Sequence, residues 1–290
     1  VTGTGPGTFE TQDGFSVDTD TGRGVFIDNQ TTDPVSFIDT FNSSIETTDT
    51  ERGVVVYGDG DVSIFVSGQV YGNNLGVYGR SKGSGTVSIT STGAVRDDIG
   101  TAIYAYISDD GAGAGATLNI NNAYGGYNGV AVYGYGAIAV TTDQGGTVRG
   151  DNAGIQVENA GNRYGTGQSI DITANGVVAG DTGNGIEAFN NADGSLSIEA
   201  NGPVTGGTIG IYADNDGTGA LSITTTGTVT GTAGDGIYAN NSSNSTGDLT
   251  ITANEVTGGT DGDAIYARND GSGALSITAT GTITALGTVT

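Results

Sequence analysis

The chain has 290 residues, with 55 glycines, 3 prolines and no cysteine, histidine, methionine or tryptophan. Its 32 acidic residues against 8 basic ones leave a net charge of -24, a surface that repels nucleic-acid phosphates and anionic lipid. Without cysteine there is no disulfide or thiolate metal site, without histidine no ordinary base near neutral pH, and no apolar run is long enough to span a bilayer.

Val, Ile, Leu and Phe number 24, 23, 7 and 7, close to the level at which disorder competes with folding. Placement argues for folding, because the apolar residues alternate with polar ones in short runs. In chain order, one β-branched residue returns at Val25, Val54, Val77, Ile103, Val130, Ile155, Ile186, Ile211, Ile237 and Ile265, at intervals of 23 to 31 residues. Its clearest settings are Gly210-Ile211-Tyr212-Ala213, Gly236-Ile237-Tyr238-Ala239 and Ala264-Ile265-Tyr266-Ala267. Self-similarity at this period marks a stacked-repeat architecture.

Each repeat carries two further strand signals. The second is Leu221-Ser222-Ile223-Thr224, echoed at Val87, Leu118, Ile170, Leu196, Leu249 and Leu275. The third is Gly227-Thr228-Val229-Thr230-Gly231, echoed at Val70, Val95, Val148, Val178, Val204, Val256 and Ile283. Period-two alternation turns Ile211, Ala213, Leu221, Ile223 and Val229 inward and Tyr212, Ser222 and Thr224 outward. Gly, Asn, Asp and Thr clusters between the runs are turn formers. The expected fold is all-β: a right-handed parallel β-helix of three short strands per coil and about ten coils, forming a single elongated domain over residues 1–290. Coils spaced about 4.8 Å apart would make a rod of roughly 50 Å.

The tandem order Gly-Ile-Tyr-Ala, Asn-Asp-Gly, Leu-Ser-Ile-Thr, Gly-Thr-Val-Thr-Gly, best kept from about residue 165 to 290, resembles the passenger repeats of bacterial autotransporters and related large surface adhesins. That resemblance implies secretion or display at the bacterial cell surface, a β-helical stalk, and a role in adhesion, aggregation or matrix formation. The family's C-terminal translocator barrel is not in the sequence, and Thr290 ends within the repeat pattern. The expectation is either a piece of a longer stalk or ends covered by another copy stacked head to tail, since open strand edges template pairing.

Candidate sites follow the repeat. Four positions after the first-strand aliphatic stand Asn29, Asn159, Asn190, Asn215, Asn241 and Asn269, expected as a structural ladder at one corner. Outward first-strand positions carry Phe26, Tyr57, Tyr78, Tyr104, Tyr106, Tyr133, Phe189, Tyr212, Tyr238 and Tyr266, offering flat faces to sugars or to a second rod, or simply stabilising neighbouring strands. The step to the second strand takes 15 residues from Ile103 to Leu118 and from Ile155 to Ile170, but 8 from Val130 to Ile138. Loops 107–117 and 159–169 should therefore wall a notch holding Tyr106, Tyr133, Tyr135 and Tyr164, with Asp109, Asp110 and Arg163 on its sides.

Chemistry is poorly signalled. A glycosidase needs two facing carboxylates, and the adjacent pairs Asp97-Asp98 and Asp109-Asp110 cannot face each other; Glu187 with Asp214 is the pair neighbouring coils offer. Asp214 and Asp216 supply turn oxygens of the kind calcium uses, but the calcium-binding Gly-Gly-x-Gly-x-Asp repeat is missing. The second-strand Ser/Thr face is too irregular for an ice-binding array. The reading is a non-catalytic extracellular rod without cofactor, whose partners are itself or a cell-surface carbohydrate or protein. The alternative is a carbohydrate-binding or carbohydrate-cleaving β-helix working at the notch around Tyr133.

Overall fold

A computed structural model of the protein describes residues 2–3, 5–12, 15–19, 22–41, 43–47, 51–108, 114–161 and 168–286. The chain winds as a β-solenoid of about ten turns. Among the described residues there is no helix, so none is long and apolar enough to cross a membrane. First strands of successive coils pair in parallel into one sheet, running from Thr2–Gly3 through Val25–Asn29, Arg52–Gly58 and onward to Ile237–Asn241 and Ile265–Asn269. Second and third strands stack into their own parallel ladders, and in five coils they run on as one bent strand, as in Thr86–Asp97, Ala137–Gly150 and Leu221–Gly231.

Register is set by burial, because a one-residue slip would carry every apolar side chain to the solvent face. Ile211 lies over Ile186 and under Ile237, Ile223 over Ile198 and under Ile251, and Val229 over Val204 and under Val256. Each of these is buried in one continuous apolar column. Alternation in the strand Ile211–Asn215 turns Ile211, Ala213 and Asn215 inward and leaves Tyr212 and Asp214 half-buried on the outside.

One alignment differs from the expected one. Leu118 pairs with Ile89 and Val140, whereas Ala116 takes the column of Val87 and Ile138. The first long connection is therefore two residues shorter than the spacing to Leu118 implies. Alanine fills a core position with too little apolar surface to announce it, and the next leucine draws the eye instead. The low coil between the two long connections is a glycine turn. Gly136 has φ +90° and Gly134 φ +143°, and a Cβ at either would lie within 2.2 Å of a backbone oxygen of the coil below. Only glycine closes this turn without strain.

Candidate functional site

The outer face of the first-strand sheet carries most of the functional side chains expected from sequence, but in two columns rather than one. Along one column the register runs Phe26, Val55, Tyr78, Tyr104, Ala131, Gln156, Glu187, Tyr212, Tyr238 and Tyr266. Two residues further along each strand runs Asp28, Tyr57, Arg80, Tyr106, Tyr133, Glu158, Phe189 and Asp214. The rings stack on one another along the rod. Tyr212 and Tyr238 lie 4.7 Å apart and 2° from parallel, Tyr238 and Tyr266 5.0 Å and 6°, Tyr106 and Tyr133 5.7 Å and 10°. Stacking takes up the ring faces and leaves edges and hydroxyls outward. Of the two roles expected for these rings, strand-to-strand stabilisation accounts for Tyr78 on Tyr104, Tyr106 on Tyr133, and Tyr212, Tyr238 and Tyr266 on one another, whereas Phe26 meets Tyr57 edge-on and Phe189 meets Tyr212 at 50°.

Four of the 8 basic residues sit on the first half of this face. Arg23 lies 4.2 Å from the ring centre of Phe26, Arg52 5.3 Å from Tyr78, Arg80 5.1 Å from Tyr106 and Lys82 5.4 Å from Tyr57. Lys82 also pairs with Asp28 at 3.1 Å, and Arg52 donates to the Tyr57 hydroxyl at 2.8 Å. Cations on ring faces gain from the quadrupole of the aromatic system. Sequence reasoning placed the rings but missed the cations, although Arg80 and Lys82 follow Tyr78 at the two-residue spacing of one strand face.

Beyond Tyr133 the character changes to carboxylate and amide. Asn152 donates to Asn128 at 3.1 Å, Asn128 to Gln156 at 2.8 Å, and Gln156 to Glu187 at 3.0 Å; Asn184 also donates to Glu187 at 3.3 Å. Burial raises the Glu187 carboxyl above its usual range, opposed by those two donors and supported by nearby Glu158. Burial likewise raises Glu158 and Asp214. Tyr133 is raised by burial first, then by the neighbouring Glu158, Tyr135 and Tyr106. Tyr106 and Tyr133 stack on each other, and Tyr135 and Glu158 lie close enough to Tyr133 to act on its hydroxyl. Asp109, Asp110, Arg163 and Tyr164 lie outside the described residues.

The asparagines form one inward column. Asn190 donates to Asn215 at 2.8 Å, Asn215 to Asn241 at 2.7 Å, and Asn241 to Asn269 at 3.3 Å. Each also closes its own turn: Asn29 to the carbonyl of Asp33, Asn190 to Gly194, Asn215 to Gly219, Asn269 to Gly273, all between 2.8 and 2.9 Å. Asn159 reaches across a coil to the carbonyl of Gly136 at 2.8 Å. A second, half-buried amide ladder went unnoticed in the sequence, with Thr226 donating to Asn201 and Asn201 to Asn175. Asp214 accepts from Asn240 at 2.8 Å. Among the described residues no three Asp or Glu side chains gather as a metal would require, around Asp214 and Asp216 or elsewhere.

Fold and surface define the class as a β-solenoid with laddered outer faces. Comparison takes this no further: no family model matches the chain, and no curated protein or solved structure matches it.

Proposed function

We propose that the chain is a non-catalytic extracellular rod, an adhesive or filament-forming stalk that works through the repeating surface along its length. The observation that supports this reading is the unbroken stacking of the first-strand sheet from Val25 to Asn269, which lays aromatic and amide ladders along the outside and inside of one face. A repeated surface suits multivalent weak contact, where linked sites raise overall avidity without any strong single site. The test is to couple the protein to beads and measure clumping of the beads and their retention on glycan- and matrix-protein-coated surfaces. Clumping or retention above that of beads carrying an unrelated acidic protein is expected. Beads that neither clump nor adhere would overturn the reading.

A second reading, carbohydrate cleavage at the notch, is favoured by one observation. Glu158 and Glu187 stand on adjacent coils, both raised by burial, with Glu158 in register between Tyr133 and Phe189 and Glu187 two residues before Phe189 on the next strand. A raised carboxyl beside a second carboxylate is the pairing glycoside hydrolysis uses. Reducing ends released from mixed polysaccharides, and lost in both Glu158→Gln and Glu187→Gln, would support it; no release by the unaltered protein would end it.

A further inference from the structure

The third-strand ladder holds an arrangement that neither reading uses. One residue after the buried Val70, Val95, Ala123 and Val148, on the outward side, stand Tyr71, Arg96, Tyr124 and Arg149 in register on four successive coils. Tyrosine and arginine alternate there, one coil apart. At the turn that follows, the corner residues of the same coils are Asp98, Gly126 and Asp151, with Asp181 one coil further on. Gly126 contributes no side chain, and its position leaves a gap between two acids. The result is a cavity of about 380 Å³ with a glycine floor, walled by Arg96 and Asp98 on one side and by Arg149, Asp151 and Asp181 on the other, with Tyr124 between.

Three properties set this cavity apart from the aromatic columns. First, the Tyr124 side chain is 38% exposed, and its neighbours in the column are the side chains of Arg96 and Arg149 rather than further rings. Second, the charged walls are held rigid by their own pairing. Arg149 grips Asp181 through three contacts of 2.8, 2.9 and 2.7 Å, Arg96 donates to Asp98 at 3.1 Å, and the Tyr71 hydroxyl donates to Asp98 as well. Third, Asp97 is 2% exposed and turned inward, its carboxylate held by the amides of Ile99 and Gly100, so the outward carboxylates at the cavity are those of Asp98, Asp151 and Asp181.

These properties narrow the chemistry of the occupant. The arginines are already neutralised by Asp98 and Asp181, so an anion would meet no free cation and would face Asp151. A small metal cation lacks a grouped set of acids. What remains on offer is an alternation of donors and acceptors around an exposed aromatic side chain: guanidinium N–H, carboxylate oxygen, phenol. Hydroxyl groups both donate and accept, and a ring bearing several of them satisfies such a wall without bringing charge. Pockets of a few hundred cubic ångströms hold ligands of that size.

We infer that this corner cavity is a binding site for a neutral saccharide, its ring lying on Tyr124 and its hydroxyls bridging the Arg96–Asp98 and Arg149–Asp181 pairs with Asp151. The inference rests on the adhesive reading for its setting, but the site is tested on the free protein, without beads or surfaces. A panel of methyl glycosides and short neutral oligosaccharides is titrated against the purified chain by saturation-transfer NMR and calorimetry, with a glucuronide and a methylammonium salt as charged comparators. At least one neutral saccharide is expected to bind in the millimolar to micromolar range, weakened about tenfold or more in Tyr124→Ala and in Asp151→Ala. Both residues sit on the exposed corner, and unchanged circular dichroism shows that each variant is folded. Four outcomes would overturn the site: no neutral saccharide binds, only a charged comparator binds, binding survives both substitutions, or binding is lost in Tyr133→Ala instead. Failure of bead adhesion with glycoside binding intact would remove the adhesive reading and leave the site standing.

Discussion

Two buried aspartates show how the number of donors decides what a carboxylate does to this fold. Asp39 and Asp97 both sit at corners and are nearly inaccessible. Asp39 accepts from the Thr11 hydroxyl at 2.9 Å and from the amides of Gly68 at 2.8 Å, Ser67 at 3.2 Å and Ser43 at 3.3 Å. Burial pulls its pKa up, but these bonds outweigh it and hold the carboxyl below 3.8. Asp97 accepts from the amides of Gly100, Ile99 and Asn74, fewer donors than Asp39 has, and burial pushes its pKa up to about 6. The two signs give opposite pH behaviour. Between pH 3.8 and about 6 the folded chain keeps the Asp97 proton that the unfolded chain has released, so stability falls as pH rises, by a total on the order of 3 kcal/mol. Asp39 contributes stability that is present above the unfolded pKa and lost as pH falls through its depressed value. The same substitution should therefore act in opposite directions. Asp97→Asn is expected to stabilise the protein at pH 7 by about 1–2 kcal/mol and to flatten its pH dependence between 4 and 6. Asp39→Asn puts an amide where donors converge and is expected to cost about 2–4 kcal/mol. Thermal melts of both variants at pH 4, 5, 6 and 7 check this; equal signs at pH 7 would refute the account.

Within the strands, ladders turn a repeat into a stack. Asn215 is fully buried, accepts from Asn190, and donates to Asn241 and to the carbonyl of Gly219. Asn215→Ala leaves the buried Asn241 Oδ1 without its donor and the Gly219 carbonyl with the Ser245 hydroxyl alone, for an expected loss of about 2–3 kcal/mol in denaturant unfolding. Asn269 ends the bonded series and is only half-buried, so Asn269→Ala should cost less, about 1 kcal/mol. In the ring column, Tyr238→Phe keeps the stack between Tyr212 and Tyr266 and should change stability by under about 0.5 kcal/mol, whereas Tyr238→Ala breaks two stacked pairs and should cost about 1–3 kcal/mol. Equal losses for Phe and Ala would show that the hydroxyl, not the ring, matters. These elements were unevenly legible in the sequence. Period-two alternation displayed the inward Ile211, Ala213 and Asn215 and the recurring Asn column, because one spacing rule governs them all. Ala116 was hidden because alanine in a core leaves no apolar signal. The separation of Tyr57 and Tyr106 from Tyr78 and Tyr104 into two columns needed the register, since both are outward on the same strand face. The Tyr71, Arg96, Tyr124, Arg149 column was readable in Val70-Tyr71-Gly72, Val95-Arg96-Asp97, Ala123-Tyr124-Gly125 and Val148-Arg149-Gly150, but its gap at Gly126 appears only when the corners are stacked.

For the molecule as a whole, the stacked register makes stability a sum over neighbouring coils rather than the property of one centre. Coils should then be removable where their neighbours match, and not where they do not. Deleting residues 211–236 joins Gly210 to Ile237 and restores Gly-Ile-Tyr-Ala at the junction. Ile186 would then pair with Ile237, Leu196 with Leu249, Val204 with Val256 and Asn190 with Asn241, each exchange conserving shape and bonding. Deleting residues 130–154 joins Gly129 to Ile155 and brings Ile103 beneath Ile155. That change sets the apolar Ile107 under Asn159 in place of Gly134 and removes the Gly136 carbonyl that Asn159 binds. The first deletion is expected to yield a cooperative fold of the same circular-dichroism signature, shorter by about one 4.8 Å coil, with a modest loss of stability. The second is expected to lose at least several kcal/mol more, because a buried amide is left facing a methyl group. Denaturant melts and small-angle scattering on the two shortened chains decide the matter. If both deletions cost the same, or if the first fails to fold, the coils are not interchangeable units and stability resides in some part of the rod that the register does not reveal.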